Sequence, residues 1–171
     1  MARFTYSPAH KKNVTRETDP YIPRKSPPSV NICPECRAIC RNRRWVIDEE
    51  EYSLLTRRGG ASVARRRCPA CRKIADGFPG GLVTLRGGFV RAHRKEILNL
   101  VRNEEKRAMG VNPLGRIIAL TEDEDGLEVT TTGEKLAQRI GREVYKACSG
   151  TLTYKWSDDS KLLRVRWVRE A

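Results

Sequence analysis

The sequence predicts an α+β protein in which a basic tail and a four-cysteine module precede a compact unit of helices and strands. Three observations support this class. Two Cys-Pro-x-Cys motifs, at residues 33–36 and 68–71, present four thiols on two short turns. The first thirty residues contain five prolines, and from residue 89 onward helical and alternating hydrophobic patterns follow one another. We therefore expect an extended basic tail at residues 1–30, a zinc-ribbon module at 31–88 and an α+β domain at 89–171.

The tail combines proline with cationic side chains, and it cannot bury enough apolar surface to fold by itself. Tyr6 and Tyr21 lie among the cations, and rings mixed with positive charge suit a groove in folded RNA. We expect this segment to be disordered alone and to order on a partner. The tail residues that we expect to contact nucleic acid are Lys11, Lys12, Arg24 and Lys25.

Cysteines at this spacing indicate a tetrahedral metal site, because a two-residue loop lets both sulfurs of a motif reach one ion at about 2.3 Å. The alternative is a pair of redox dithiols or disulfides, but neither motif has the strand and helix context of a thioredoxin motif. Cys40 could substitute for a ligand, whereas we expect Cys148 to be a small buried hydrophobe. We predict one structural Zn²⁺ held by Cys33, Cys36, Cys68 and Cys71.

Positive charge flanks both cysteine motifs. The chain has 34 Lys and Arg against 21 Asp and Glu, a net charge of +13, and polyanions are natural partners of such a surface. Genomic base composition or growth at high temperature would explain a preference for arginine but not the net charge. For any single arginine, a merely solvated side chain is the alternative. Beyond the tail, we expect nucleic-acid contacts from Arg41, Arg43, Arg44, Arg65, Arg66, Arg67, Arg72, Lys73, Arg91 and Arg94.

Residues 82–85 predict a short strand bounded by glycines, which we expect to complete the zinc ribbon. Helical spacing then covers residues 92–109, and strands at 116–121 and 127–132 flank an acidic turn. A capping box at 131–134 opens a second helix, and two alternating strands end the chain. This α-β-β-α-β-β order predicts a four-stranded antiparallel sheet with both helices on one face. The other face would carry Lys155, Arg164 and Arg166, as a basic binding surface or as an ordinary solvated face.

Several classes of function are excluded by what the sequence does not contain. No stretch approaches the roughly 20 apolar residues of a membrane span, and the N-terminus has no signal-peptide run. We therefore expect a cytoplasmic protein with no membrane partner, which agrees with reduced thiols. The two histidines, His10 and His93, lie in no triad-like pattern, and four thiolates leave no open position on a metal. We expect no enzyme activity and no small-molecule substrate.

Several motifs resemble those of an uncharacterised prokaryotic zinc-ribbon family. They are the double Cys-Pro-x-Cys and the segments 71–76, 93–97, 100–104, 112–117, 129–132 and 136–141. More distantly, paired cysteine knuckles followed by a small α/β unit resemble the N-terminal part of the nonsense-mediated-decay-three-type adaptors. Those archaeal and eukaryotic proteins bind the large ribosomal subunit during its maturation and export, and they carry more cysteine pairs than this chain. The resemblance implies a ribosome or ribosomal-RNA partner.

Together these observations predict a zinc-stabilised RNA-binding protein that docks on the ribosome, with the large subunit as the expected site. It would act as an assembly, dormancy (ribosome hibernation) or translation-associated factor. One rival is a zinc-ribbon DNA-binding regulator, although no recognition helix is evident beside the cysteine turns. The other is a protein-interaction adaptor whose charge serves only solubility.

Overall fold

Two β-sheets share the described part of the chain. The computed structural model describes residues 19–22, 30–58, 63–157 and 162–171, with nine strands and five helices among them. A mixed α+β architecture with a cysteine cluster is thus confirmed. No helix in these described ranges has the length and apolar content needed to cross a bilayer.

The first sheet has four short strands in the order β3-β2-β1-β4. The strands are β1 (Val30–Ile32), β2 (Ala38–Arg41), β3 (Arg44–Ile47) and β4 (Val63–Arg65). Strand β2 pairs antiparallel with β1 and β3, whereas β4 pairs parallel with β1. Helix α1 (Glu49–Arg58) lies between β3 and β4 in sequence, and α2 (Pro69–Ala75) follows β4. Pro69 occupies the first turn of α2, where its missing N–H costs no hydrogen bond.

The second sheet has five strands in the order β6-β7-β5-β9-β8. These are β5 (Gly81–Arg86), β6 (Ile117–Asp123), β7 (Gly126–Thr131), β8 (Thr151–Trp156) and β9 (Leu163–Val168). Strand β5 lies at the centre, antiparallel to β7 and parallel to β9. The two predicted hairpins are present as β6–β7 and β8–β9.

This sheet differs from the predicted four-stranded antiparallel one because β5 belongs to it. We expected residues 82–85 to complete the zinc ribbon, but Val83 and Leu85 are fully buried in the core of the second sheet. The predicted module at 31–88 therefore contains the central strand of the other sheet. Pairing partners of β5 lie about 45 and 80 residues later in the chain, and a strand's own sequence does not specify which distant strand it pairs with.

Three helices accompany the second sheet: α3 (Gly88–Ala92), α4 (Arg94–Val111) and α5 (Glu134–Cys148). The predicted helix at 92–109 corresponds to α4, which His93 separates from α3. The predicted capping box does not form, because Gly133 is the N-cap of α5 and Thr131 Oγ1 donates instead to the Gly133 carbonyl at 3.0 Å. Helix α5 packs across β5, β7, β8 and β9, and α4 packs against α5.

Gly141 lets α5 lie close to the sheet. A Cβ at this position would meet Val165 Cγ1 at 2.5 Å and Leu152 Cδ1 at 3.2 Å. We expect Gly141→Ala to lower the free energy of unfolding by about 1–2 kcal/mol, because the overlap outweighs alanine's helix preference of about 0.5–1 kcal/mol. Urea unfolding measures the change. The matched control is Gly110→Ala in α4, where nothing lies within 4 Å; equal losses in both variants would contradict the close packing.

Candidate metal centre

The four predicted cysteines converge on one point. Their sulfur atoms all lie within 4.8 Å of one another. Cys33 Sγ is 3.8 Å from Cys71 Sγ, and Cys36 Sγ is 3.6 Å from Cys68 Sγ. A tetrahedral ion with bonds of about 2.3 Å separates its sulfur ligands by about 3.8 Å. The cluster therefore has the dimensions to hold one metal ion, as the motif spacing predicts.

Two local structures position these sulfurs. The first motif occupies the turn between β1 and β2, where the Arg37 amide donates to the Cys33 carbonyl at 3.0 Å and Arg37 adopts a positive φ of 60°. The second motif begins α2, with Cys68 as its N-cap. The Cys71 amide donates to Cys68 Sγ and the Cys68 amide donates to Cys33 Sγ, each at 3.3 Å. Such amide donors stabilise thiolates.

Hydrogen bonds between the thiols, together with burial, shift the pKa values of three of the four cysteines. A hydrogen bond from the Cys68 thiol lowers the pKa of Cys36 to about 5, and backbone and other cysteine donors add to this effect. Donation to Cys36, together with burial, raises the pKa of Cys68. Burial raises the pKa of Cys71 to about 12. A metal ion would bind these groups as thiolates, so its binding at neutral pH would displace protons from Cys68 and Cys71 and would weaken as the pH falls.

A residue of the second unit also reaches the cluster. Arg116, just before β6, donates from Nη1 to Cys71 Sγ at 3.5 Å. Leu114 packs against the cysteine cluster, and its carbonyl accepts a hydrogen bond from Thr132 Oγ1 at 2.5 Å. The segment 112–117 thus connects the cysteine cluster to the second sheet. Nothing in the sequence indicates this connection, because Arg116 lies 45 residues after Cys71.

Lys73 is buried, contrary to its expected role as a nucleic-acid contact. It is 8% exposed, and its ammonium donates to Asp19 Oδ2 at 2.5 Å and to the Thr132 carbonyl at 2.9 Å. Tyr21 lies beside this pair, and its hydroxyl donates to Asp76 Oδ2 at 2.8 Å. The Arg72 guanidinium stands 5.0 Å from the centre of the Tyr21 ring. Part of the predicted tail therefore anchors the end of α2, and Lys73 is unavailable to a partner.

Apart from Arg43 and Arg72, the other predicted cations in the described ranges divide into two groups. Three pair with carboxylates: Arg41 with Glu51, Arg67 with Glu35 at 2.6 Å, and Arg94 with Glu122 at 3.0 Å. Arg43 is exposed in the turn between β2 and β3. The members of the second group are exposed and form no ion pair with any residue that the structure describes: Arg44, Arg65, Arg66 and Arg91.

Some predicted sites fall outside the described residues, namely Lys11, Lys12, Arg24 and Lys25, together with His10. Cys40 lies on β2, 6% exposed, and does not belong to the cluster of four. Cys148 ends α5 and packs against the core of the second unit. The ring of His93 stacks on Phe89 with centroids 4.1 Å apart, and its Nδ1 lies 3.2 Å from Glu96 Oε2.

Comparisons with known proteins add no identification. A scan against protein-family models found no match to the chain, and a search of curated proteins also found none.

Proposed function

We propose that this chain is a zinc-stabilised RNA-binding protein that docks on the ribosome in the cytoplasm, with the large subunit as its site. One observation carries the proposal: exposed arginines without carboxylate partners among the described residues lie on, or directly after, the two edge strands of the first sheet, close in sequence to the cysteine motifs. Arg44 lies on β3, and Arg65 and Arg66 lead directly into Cys68. A metal would hold these cations in a fixed arrangement, which lowers the entropy lost on binding.

The thiol cluster supports zinc as the ion. Thiolate ligands select Zn²⁺, Cu(I) or iron–sulfur clusters, and a single tetrahedral centre with four sulfurs is typical of zinc. Four thiolates close the coordination shell and leave no position for a substrate, so the ion would be structural and the protein no enzyme. The buried set around the cluster is small, consisting of Cys33, Ala38, Cys68, Ala70 and Cys71. Metal binding would therefore supply folding free energy that so small a core cannot.

Charge supports a nucleic-acid partner. Between residues 30 and 75 the sequence has eleven Lys and Arg against five Asp and Glu, so the metal-binding unit carries an excess of positive charge. Lysine and arginine contacts to phosphates release counterions and dominate the affinity of such proteins. The motif resemblance supports the ribosome as the RNA partner.

Sucrose-gradient sedimentation tests the proposal. The metal-loaded protein should comigrate with the large ribosomal subunit at low salt and be released at high salt, because phosphate contacts weaken with ionic strength. Sedimentation as free protein at low salt would contradict ribosome binding. A complex that survives both nuclease and high salt would indicate a protein adaptor, and a preference for duplex DNA over ribosomal RNA at equal salt would indicate a DNA-binding regulator.

Two variants that remove the same number of positive charges test which arginines bind the RNA. The triple change Arg44→Gln, Arg65→Gln and Arg66→Gln removes three arginines that have no ion pair within the described chain. Its control removes three arginines that do form ion pairs and that are not expected to contact nucleic acid, through Arg37→Gln, Arg86→Gln and Arg107→Gln. We expect the first variant to lose about tenfold or more in affinity for ribosomal RNA and the control to lose less, since paired arginines already have a counter-charge.

A further inference from the structure

One half of the second sheet has an open, positively charged face. Along β8 and β9 the residues Leu152, Leu163 and Val165 point into the core on the α5 side. Side chains alternate along a strand, so the intervening residues lie on the opposite face. These include Lys155, Arg164 and Arg166, all of which are exposed. The same side of the central strand is also uncovered, because Thr84 remains partly exposed.

These three cations repel one another, and no carboxylate in the described ranges pairs with them. The register places Lys155 directly opposite Arg164, and like charges facing each other across strands are destabilising. Within the described ranges, none of the three forms an ion pair, whereas Arg86 at the other end of the sheet pairs with Asp123. Across the sheet, Arg166 of β9 lies opposite Thr84 of β5, and Thr84 lies opposite Glu128 of β7. Glu128 is the first acidic residue in this direction, and its backbone is two strands away from that of Arg166, or roughly 10 Å. An anionic partner would relieve this repulsion.

Strands β8 and β9 place no aromatic ring on this face, and this indicates which class of nucleic acid the face can bind. The aromatic residues of β8 and β9 are Tyr154, Trp156 and Trp167, and all three pack in or against the core. No aromatic side chain of these strands is therefore available for stacking on unpaired bases, which is how proteins bind single strands. The exposed neighbours are Thr151 and Thr153. Hydroxyls and cations without rings match the phosphates and 2′-hydroxyls through which helical RNA is bound.

We propose that the open β8–β9 face binds the backbone of a double-stranded RNA segment, with Lys155, Arg164 and Arg166 on its phosphates. The inference rests on the proposed RNA-binding function, and it adds a second contact surface and the class of RNA. Arg164 and Arg166 are two residues apart on β9, about 6.6 Å along the strand. They can therefore contact separate phosphates of one RNA strand, while Lys155 extends the contact to the edge of the sheet.

Binding of the full metal-loaded chain to an RNA hairpin with a long paired stem tests this surface. The variant carries Lys155→Thr, Arg164→Thr and Arg166→Thr, since threonine suits a strand. Its control removes three exposed lysines from the helices, through Lys95→Gln, Lys106→Gln and Lys135→Gln. We expect the sheet variant to lose about tenfold or more in affinity, and its slope of log affinity against log salt to fall by about 2–3, close to 0.9 per lost phosphate contact. The control, with the same net charge, should change much less.

Other outcomes would overturn the inference. Equal losses in the two variants would show that only net charge matters, and the proposed RNA-binding function would stand without this surface. Tighter binding by the unaltered chain to an unpaired oligonucleotide, to duplex DNA of the same sequence or to phosphatidylserine vesicles would contradict double-stranded RNA as the partner. If the unaltered chain binds neither ribosomal RNA nor the hairpin at low salt, the proposed function fails together with the inference. Unchanged tryptophan fluorescence would verify that the variants are folded.

Discussion

Replacing Cys68 by serine is expected to abolish metal binding and to unfold the first sheet while the second sheet stays folded. Cys68 caps α2 and its sulfur lies 3.6 Å from Cys36 Sγ. The serine hydroxyl can still cap the helix, so the change removes the metal ligand and little else. Structural zinc supplies about 10–16 kcal/mol in small zinc-binding peptides. The first unit has few buried apolar side chains to replace that free energy, whereas the second has a large core around Trp167.

Metal analysis and hydrogen exchange resolved along the chain measure the effect. Amides of β1, β2 and β4 should lose protection in the variant, and those of β5, β7 and β9 should keep it. The matched control is Cys148→Ser, which removes a thiol outside the cluster and should retain one metal per chain. Full metal content in the Cys68 variant would contradict the assignment of ligands. Unchanged affinity for ribosomal RNA in the metal-free protein would contradict the role of the metal in holding the arginines in place.

The second large effect is expected from Asp19→Ala. The side chains of Lys73 and Asp19 are 10% and 21% exposed, and after the change the buried ammonium would keep only the Thr132 carbonyl as a described hydrogen-bond partner. Breaking a buried ion pair by removing one partner costs about 3–5 kcal/mol. We expect a loss of about 3 kcal/mol in the free energy of unfolding, measured by urea denaturation.

Two further variants test the cause of that loss. Glu49→Ala breaks the Arg37–Glu49 pair, whose side chains are 61% and 60% exposed, and should cost no more than about 1 kcal/mol. Adding Lys73→Met to Asp19→Ala removes the uncompensated charge and should recover part of the stability, as a double-mutant cycle would show. A small effect of Asp19→Ala, similar to that of Glu49→Ala, would mean that the anchor of the tail segment is not energetically important.

The sequence by itself determined the elements whose information is local. Both thiols of each motif lie within four residues, so each turn brings its two sulfurs together, and the repeated motif predicted the cluster of Cys33, Cys36, Cys68 and Cys71. Apolar residues at helical spacing predicted α4 and α5. Alternating apolar and polar residues, together with the turns between them, predicted the β6–β7 and β8–β9 hairpins. Alternation also indicated that Lys155, Arg164 and Arg166 share one face of the sheet, which the register confirms.

Only the tertiary structure decided what depends on distant partners. Strand β5 lies next to the cysteine motifs in sequence, but its pairing with β7 and β9 places it in the other sheet. A lysine side chain is usually exposed, but Lys73 is buried. Its ammonium donates hydrogen bonds to Asp19, 54 residues earlier, and to the Thr132 carbonyl, and these bonds make the burial possible. Arg116 reaches Cys71 only because the loop before β6 packs on the cysteine cluster. In each case the stabilising contact joins segments that are far apart in the chain. The pattern of residues within one segment does not specify which distant segment it contacts.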